Sequence, residues 1–141
     1  MPTKFPYSVK QTERGKKTSV IYVWLEIKTK KGIYRFQRFL FDTGADYTSL
    51  PKFMSQVVGF NLEEAKQEIM YTANNEPMTT YRGSIEIILG NKKFKLPVVF
   101  TDKDDTPFLL GRMGIIDKFD ILLSKKDQEI IFSWGNNTSC L

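Results

Sequence analysis

One acidic side chain stands where an acid is costly. In the stretch FLFDTGADYTSLP (39–51), Asp42 follows three bulky apolar residues and precedes Thr43, Gly44 and Ala45. A carboxylate leaving an apolar strand costs free energy unless it is paired or hydrogen-bonded. Asp-Thr-Gly can supply that compensation. Gly44 permits backbone conformations that other residues avoid, and it lets a second backbone come close. The N–H groups of the turn can aim at the carboxylate and favour its charged form. Taken alone, the tripeptide suits a turn or capping Asp equally well. It should arise by chance in about one chain in thirty of this length. The context FLFDTGAD is far sharper.

What the chain lacks narrows the chemistry further. Its 141 residues include no His, which excludes Ser–His and Cys–His catalysis and most zinc chemistry. The one cysteine, Cys140, excludes an intrachain disulfide, and its position one residue from the end rules out a prenylation box. Overlapping glycosylation sequons at Asn136 and Asn137 read as chance. The loop TDKDD (101–105) lacks the Gly and the closing Glu of a calcium loop. No metal and no cofactor are therefore expected. The net charge of +5 is scattered, without the basic stripe and interleaved aromatics that nucleic-acid binding would want. No apolar run reaches membrane-span length. The N-terminal MPTKFPYSVK lacks the apolar core of a secretion signal, so a soluble, cytoplasmic protein is the expectation.

The elements that must hold Asp42 are mostly strands. SVIYVWLEI (19–27) and IYRFQRFLF (33–41) are rich in β-branched and aromatic residues and form a hairpin around KTKKG. PKFMSQVVGF (51–60) opens with Pro at a first helical position and closes near Gly59, which predicts a short helix. LEEAKQEIM (62–70) is ambiguous between helix and strand. YTANNEPMTTYRGSIEIIL (71–89) reads as a long hairpin about a turn-prone Asn74-Asn75-Glu76-Pro77. A tight turn at Gly90-Asn91 leads to the strand KKFKLPVVF (92–100). Then come a very short buried strand in FLLG (108–111), a short helix in RMGIIDKF (112–119) and a last hairpin around residues 125–128. Met54, Met70, Met78 and Met113 read as packing residues.

Asp-Thr-Gly, the hairpin about Asn74 and FLLGRMGIIDKF follow one another in an order that resembles the retropepsin-like aspartic proteases. The similarity covers residues 21–134, and LLGR followed by FDI is closest to single-domain cellular and retrotransposon-type members. The resemblance implies a mainly β domain, a retropepsin-like closed β-barrel (the acid protease fold) with one or two short helices. That domain would span 19–135, between an N-terminal extension (1–18) and a C-terminal tail (136–141). It also implies roles. Asp42 would be the catalytic carboxylate, Thr43 would bond across a dimer axis, and Gly44 would admit substrate backbone. Ala45, Asp46 and Leu110 would meet substrate, with Thr72, Ala73, Asn74 and Asn75 in a flap above it. Leu109, Gly111 and Arg112 would support the loop from behind, Arg112 by a partly buried ion pair with Asp46. Ala45 brings no hydroxyl to the carboxylate, so an only mildly acidic activity optimum is expected.

The chain holds no second Asp-Thr-Gly or Asp-Ser-Gly. A second carboxylate would therefore come from a second copy, in a homodimer joined through the active-site loop. The implied activity is aspartic endopeptidase action on extended peptide or protein substrates. The rival reading is a catalytically silent peptide-binding or assembly module of the same fold.

Overall fold

Strands form here because apolar side chains recur at every second position and so collect on one face. In β2 (Lys17–Lys28) Val23, Leu25 and Ile27 are buried. In β6 (Pro77–Leu89) the buried set is Ile85, Ile87 and Leu89. In β7 (Lys92–Thr101) it includes Leu96, Val98 and Phe100. These faces, with Phe39, Leu50, Leu110, Ile130 and Phe132, make one core. The computed structural model describes residues 2–72 and 74–135. Ala73 of the expected flap lies outside the described residues, as do Asn136, Asn137, Cys140 and the rest of the 136–141 tail.

The remaining elements are β1 (Thr3–Gln11), β3 (Tyr34–Phe41), β4 (Thr48–Leu50), β5 (Gln67–Tyr71), β8 (Leu109–Leu110), β9 (Phe119–Ser124) and β10 (Glu129–Trp134). A short helix, α1 (Met54–Val58), ends at Gly59 as the sequence suggests. The ambiguous segment after it resolves into a single 3-10 turn at Leu62–Glu64 and the strand β5. The strands join in one ten-stranded sheet, ordered β5-β6-β7-β4-β8-β3-β2-β1-β10-β9.

That order corrects the expected closed barrel. The sheet is open, with β5 and β9 at its two ends. It folds over so that β6 touches β2, but only at Glu26↔Ile88 and Ile27↔Ile87. The reason lies in β1, a strand with no local signature in its residues. β1 changes partner halfway: residues 3–6 pair with β10, whereas residues 7–11 pair with β2. This change carries β10 and β9 out beyond β2 instead of back to β5. The expected helix in RMGIIDKF is also replaced, by successive tight turns such as Ile115 N–H to Arg112 O and Lys118 N–H to Ile115 O, both 3.0 Å. Gly114 sits there at φ 81°, a left-handed conformation that no helix interior accepts.

Candidate active site

The last residue of β3 hands the chain directly to Asp42. Phe39 is fully buried, which anchors β3, and β3 runs parallel to β8 with Leu40 beside Leu109 and Phe41 beside Leu110. The ladder continues one step into the loop, where Asp42 N–H donates to Leu110 O at 2.9 Å. The chain then reverses. Ala45 N–H donates to Asp42 O at 3.2 Å, and Gly44 N–H donates to the Asp42 carboxylate Oδ1 at 3.0 Å. The carboxylate is thus compensated by the turn it begins, as its sequence context requires. Among the described residues Oδ2 has no hydrogen-bond partner, so it is free for water or a ligand.

The segment after β8 ties the far side of the loop. Arg112 N–H donates to Ala45 O at 3.0 Å, and Met113 N–H donates to Asp46 O at 2.8 Å. Gly111 N–H donates to the Thr48 hydroxyl at 3.1 Å, in a buried position. Leu109 to Met113 therefore act as a template against which the loop is laid. Thr48 is fully buried, so replacing it by Val would strand the Gly111 N–H without a partner. A buried unsatisfied donor costs about 1–3 kcal/mol. Thr48→Val should lower the midpoint of urea unfolding accordingly, while Thr48→Ser, which keeps the hydroxyl, should change it far less.

The Arg112 guanidinium also meets the Asp46 carboxylate directly. This pair is more open than expected, with side chains 45% and 67% exposed. Exposed pairs of this kind contribute little stability.

Above the loop lies a cleft of about 730 Å³, within the usual size range for ligand sites. Asp42, Gly44, Ala45, Asp46, Tyr47 and Leu109 line it. The β5–β6 hairpin contributes Met70, Tyr71, Thr72, Met78 and Thr80 to the same lining. Lys103, Asp105, Thr106 and Pro107 also line it. The hairpin turn is built on Thr72, whose hydroxyl accepts from Glu76 N–H at 3.2 Å and whose carbonyl accepts from Asn75 N–H at 2.8 Å. Asn74 and Asn75 are exposed at the tip and do not line the cleft.

The two leucines differ in placement. Leu109 reaches the cleft, whereas Leu110, expected to touch substrate, is fully buried and serves through its carbonyl. Thr43 is exposed, beside Asp42 but outside the cleft lining. Met70 and Met78, read from sequence as packing residues, form cleft wall instead. The 103–107 loop was also missed, and its run of Asp and Lys offers no local signal of a cleft. No group of three or more Cys, Asp or Glu suited to a metal occurs among the described residues.

Residues 28–113 match the profile of a protein family described as "Aspartyl protease". Among solved structures, a retropepsin-like aspartic protease from Rickettsia conorii is similar, with a TM-score of 0.60 and 21% identity. That similarity covers 93% of this chain and 98% of the other. EIAV protease in complex with an inhibitor aligns at a TM-score of 0.49 and 16% identity, over 66% of this chain and 82% of the other. No curated protein matches the chain.

Proposed function

The chain belongs to the aspartyl protease family in its retropepsin-like form, and from that premise we propose that it is an endopeptidase acting as a homodimer. One observation carries the reading: the Asp42 carboxylate, fixed at Oδ1 by Gly44 N–H and without a partner at Oδ2 among the described residues, lines a cleft of about 730 Å³. Amide hydrolysis needs a base to activate water and an acid to polarise the carbonyl. One Asp42 cannot be both at once. Two copies of Asp42 facing each other cannot both ionise cheaply, so they share one proton, as is established for aspartic proteases.

The ionised carboxylate then takes a proton from the attacking water. The protonated one donates to the scissile carbonyl oxygen as the tetrahedral centre forms. On collapse, the carboxyl that took the water proton gives it to the leaving nitrogen as the C–N bond breaks, and the other takes the proton back from the tetrahedral hydroxyl as the new carbonyl forms, which restores one shared proton. Thr43, exposed next to Asp42, would bond to its counterpart across the axis and hold the two loops together.

Substrate would lie extended between the loop and the β5–β6 hairpin, held by main-chain hydrogen bonds. Met70, Met78 and Leu109 give the cleft apolar walls, which favours apolar side chains beside the scissile bond. No helix of the described residues is long and apolar enough to cross a membrane, and we place the activity in the cytoplasm. Incubation with an unbiased peptide library tests the proposal. Cleavage between apolar residues, suppressed by a peptide with a non-hydrolysable hydroxyl-bearing isostere, is expected. An untouched library from a demonstrably dimeric preparation would point to the silent binding module instead.

A further inference from the structure

β3 has two edges, and only one is covered along its length. β2 pairs with it from Tyr34 to Leu40. On the other side β8 reaches only Leu40 and Phe41. Among the described residues, no strand lies beside Tyr34 to Phe39 on that side. A cavity of about 250 Å³ opens there, lined by Arg35, Phe36 and Gln37, by Ile27 of β2, and by Met54 and Val57 of α1. Successive side chains of a strand point to opposite faces, so a cavity that meets three in a row lies along the strand's edge. Its apolar part is recessed, with Ile27 and Met54 only 2% and 6% exposed.

A second cavity of about 230 Å³ shares Thr29, Arg35 and Val57 with the first and adds Lys30, Lys31 and Ile33. No acid lines either one. Lys28 of the same turn is engaged with Glu86 at 3.1 Å. Lys30, Lys31 and Arg35 take part in no ion pair among the described residues. The turn that carries the two lysines is fixed. Thr29 N–H donates to Ile33 O at 2.8 Å, and Lys30 N–H donates to Val57 O at 2.9 Å, which ties the turn to α1. Arg35 stands seven residues before Asp42 along an extended strand, about 23 Å away at the usual rise. Neither cavity shares a lining residue with the Asp42 cleft.

We propose that this edge of β3 is a second peptide site, which takes an extended segment carrying apolar and acidic residues. On the endopeptidase reading above, on which this part rests, the segment belongs to the substrate protein and docks it away from the bond to be cut. An extended chain laid on a free edge gains main-chain hydrogen bonds, and pockets for its side chains give selectivity. The first cavity has room for an apolar side chain, since about 150 Å³ already holds a benzene ring. Three cations without acid partners favour carboxylates and disfavour a basic segment. A bilayer fits less well, because it takes up protruding apolar side chains and the apolar part here is recessed.

Fluorescence anisotropy on the Asp42→Asn chain tests binding without cleavage. The probe is a labelled peptide of alternating Glu and Leu. Lys30→Glu with Lys31→Glu should weaken binding at least about tenfold and remove most of its salt dependence. Lys16→Glu with Lys17→Glu, an equal change of net charge outside both cavities, should alter it less than about twofold. A peptide of alternating Glu and Ser should bind at least about tenfold more weakly, because it brings nothing apolar to bury. Equal effects of the two double variants, or equal binding of the two peptides, overturn the proposal. So does uptake by phosphatidylcholine vesicles containing phosphatidylserine of a chain that ignores the peptide. With the wild type, joining the acidic segment to a cleavable peptide should lower KM about tenfold and leave kcat unchanged. A KM that does not respond overturns the substrate role. Peptide binding that Lys30→Glu with Lys31→Glu removes, in a wild type that cleaves nothing, upholds the site and overturns the endopeptidase reading.

Discussion

Asp42→Asn should abolish peptide cleavage, lowering kcat/KM by about 10⁴-fold, or about 5.4 kcal/mol of transition-state stabilisation. The size follows from what an amide side chain loses. Asn can neither take a proton from water nor give one to the scissile carbonyl. In a homodimer one substitution removes both roles together, because each copy brings the same residue. The fold should survive. Asn keeps an oxygen acceptor in place of Oδ1, so the 3.0 Å bond from Gly44 N–H can persist. The backbone bond from Asp42 N–H to Leu110 O is indifferent to the side chain. Unfolding midpoints should therefore stay close, and a peptide with apolar flanks should still bind. Asp46→Asn provides the contrast. Asp46 is 67% exposed and away from the proton transfers, so its loss should raise KM more than it lowers kcat. Undiminished turnover by Asp42→Asn would remove the basis for assigning the chemistry to this loop.

The active loop was legible in the sequence because its logic is local. An acid next to Thr-Gly after an apolar strand needs a turn, and the turn supplies the N–H that Asp42 accepts from. The supporting Gly111 and Arg112 were legible only through the family's order of motifs. Other features depend on long-range pairing, and no local pattern encodes them. β1 carries Pro6 and alternates weakly, TKFPYSVKQ, so nothing in it announces a strand that joins β2 to β10. The open sheet follows from that partner change, which is why a closed barrel was expected and is not formed. Met70 and Met78 look like any core methionine. They face each other across the β5–β6 ladder, and only the fold-over of that hairpin toward Asp42 makes them cleft wall. The missing helix after Arg112 is a different failure. RMGIIDKF has helical composition, but one glycine at positive φ divides it into turns.

Gly111 is where the largest loss of stability is expected, and the reason is backbone rather than side chain. A Cβ built there would stand 2.9 Å from Thr48 N and nearer still to the Tyr47 carbonyl group. Real Cβ atoms do not approach so closely, and backbone cannot swing aside as a long side chain can. The obstructed atoms belong to the stretch joining the active loop to β4. Gly111 itself lies between Leu110, whose carbonyl receives Asp42 N–H, and Arg112, whose N–H holds Ala45. Gly111→Ala must therefore either push β8 off the loop or move the loop. Overpacking of this kind costs up to about 3 kcal/mol. For a domain of this size that lowers Tm by about 10 °C. The same displacement shifts Asp42, so turnover should fall even at temperatures where the variant is folded, since small misplacements of catalytic groups cost about 100-fold. Gly135→Ala is the control, because among the described residues a Cβ there meets nothing closer than 3.4 Å, and it should leave Tm nearly unchanged. If Gly111→Ala matched the wild type in both Tm and turnover, the tight apposition of β8 to the loop could not be what positions Asp42. The template role of residues 109–113 would then have to be abandoned, whatever the fate of the carboxylate itself.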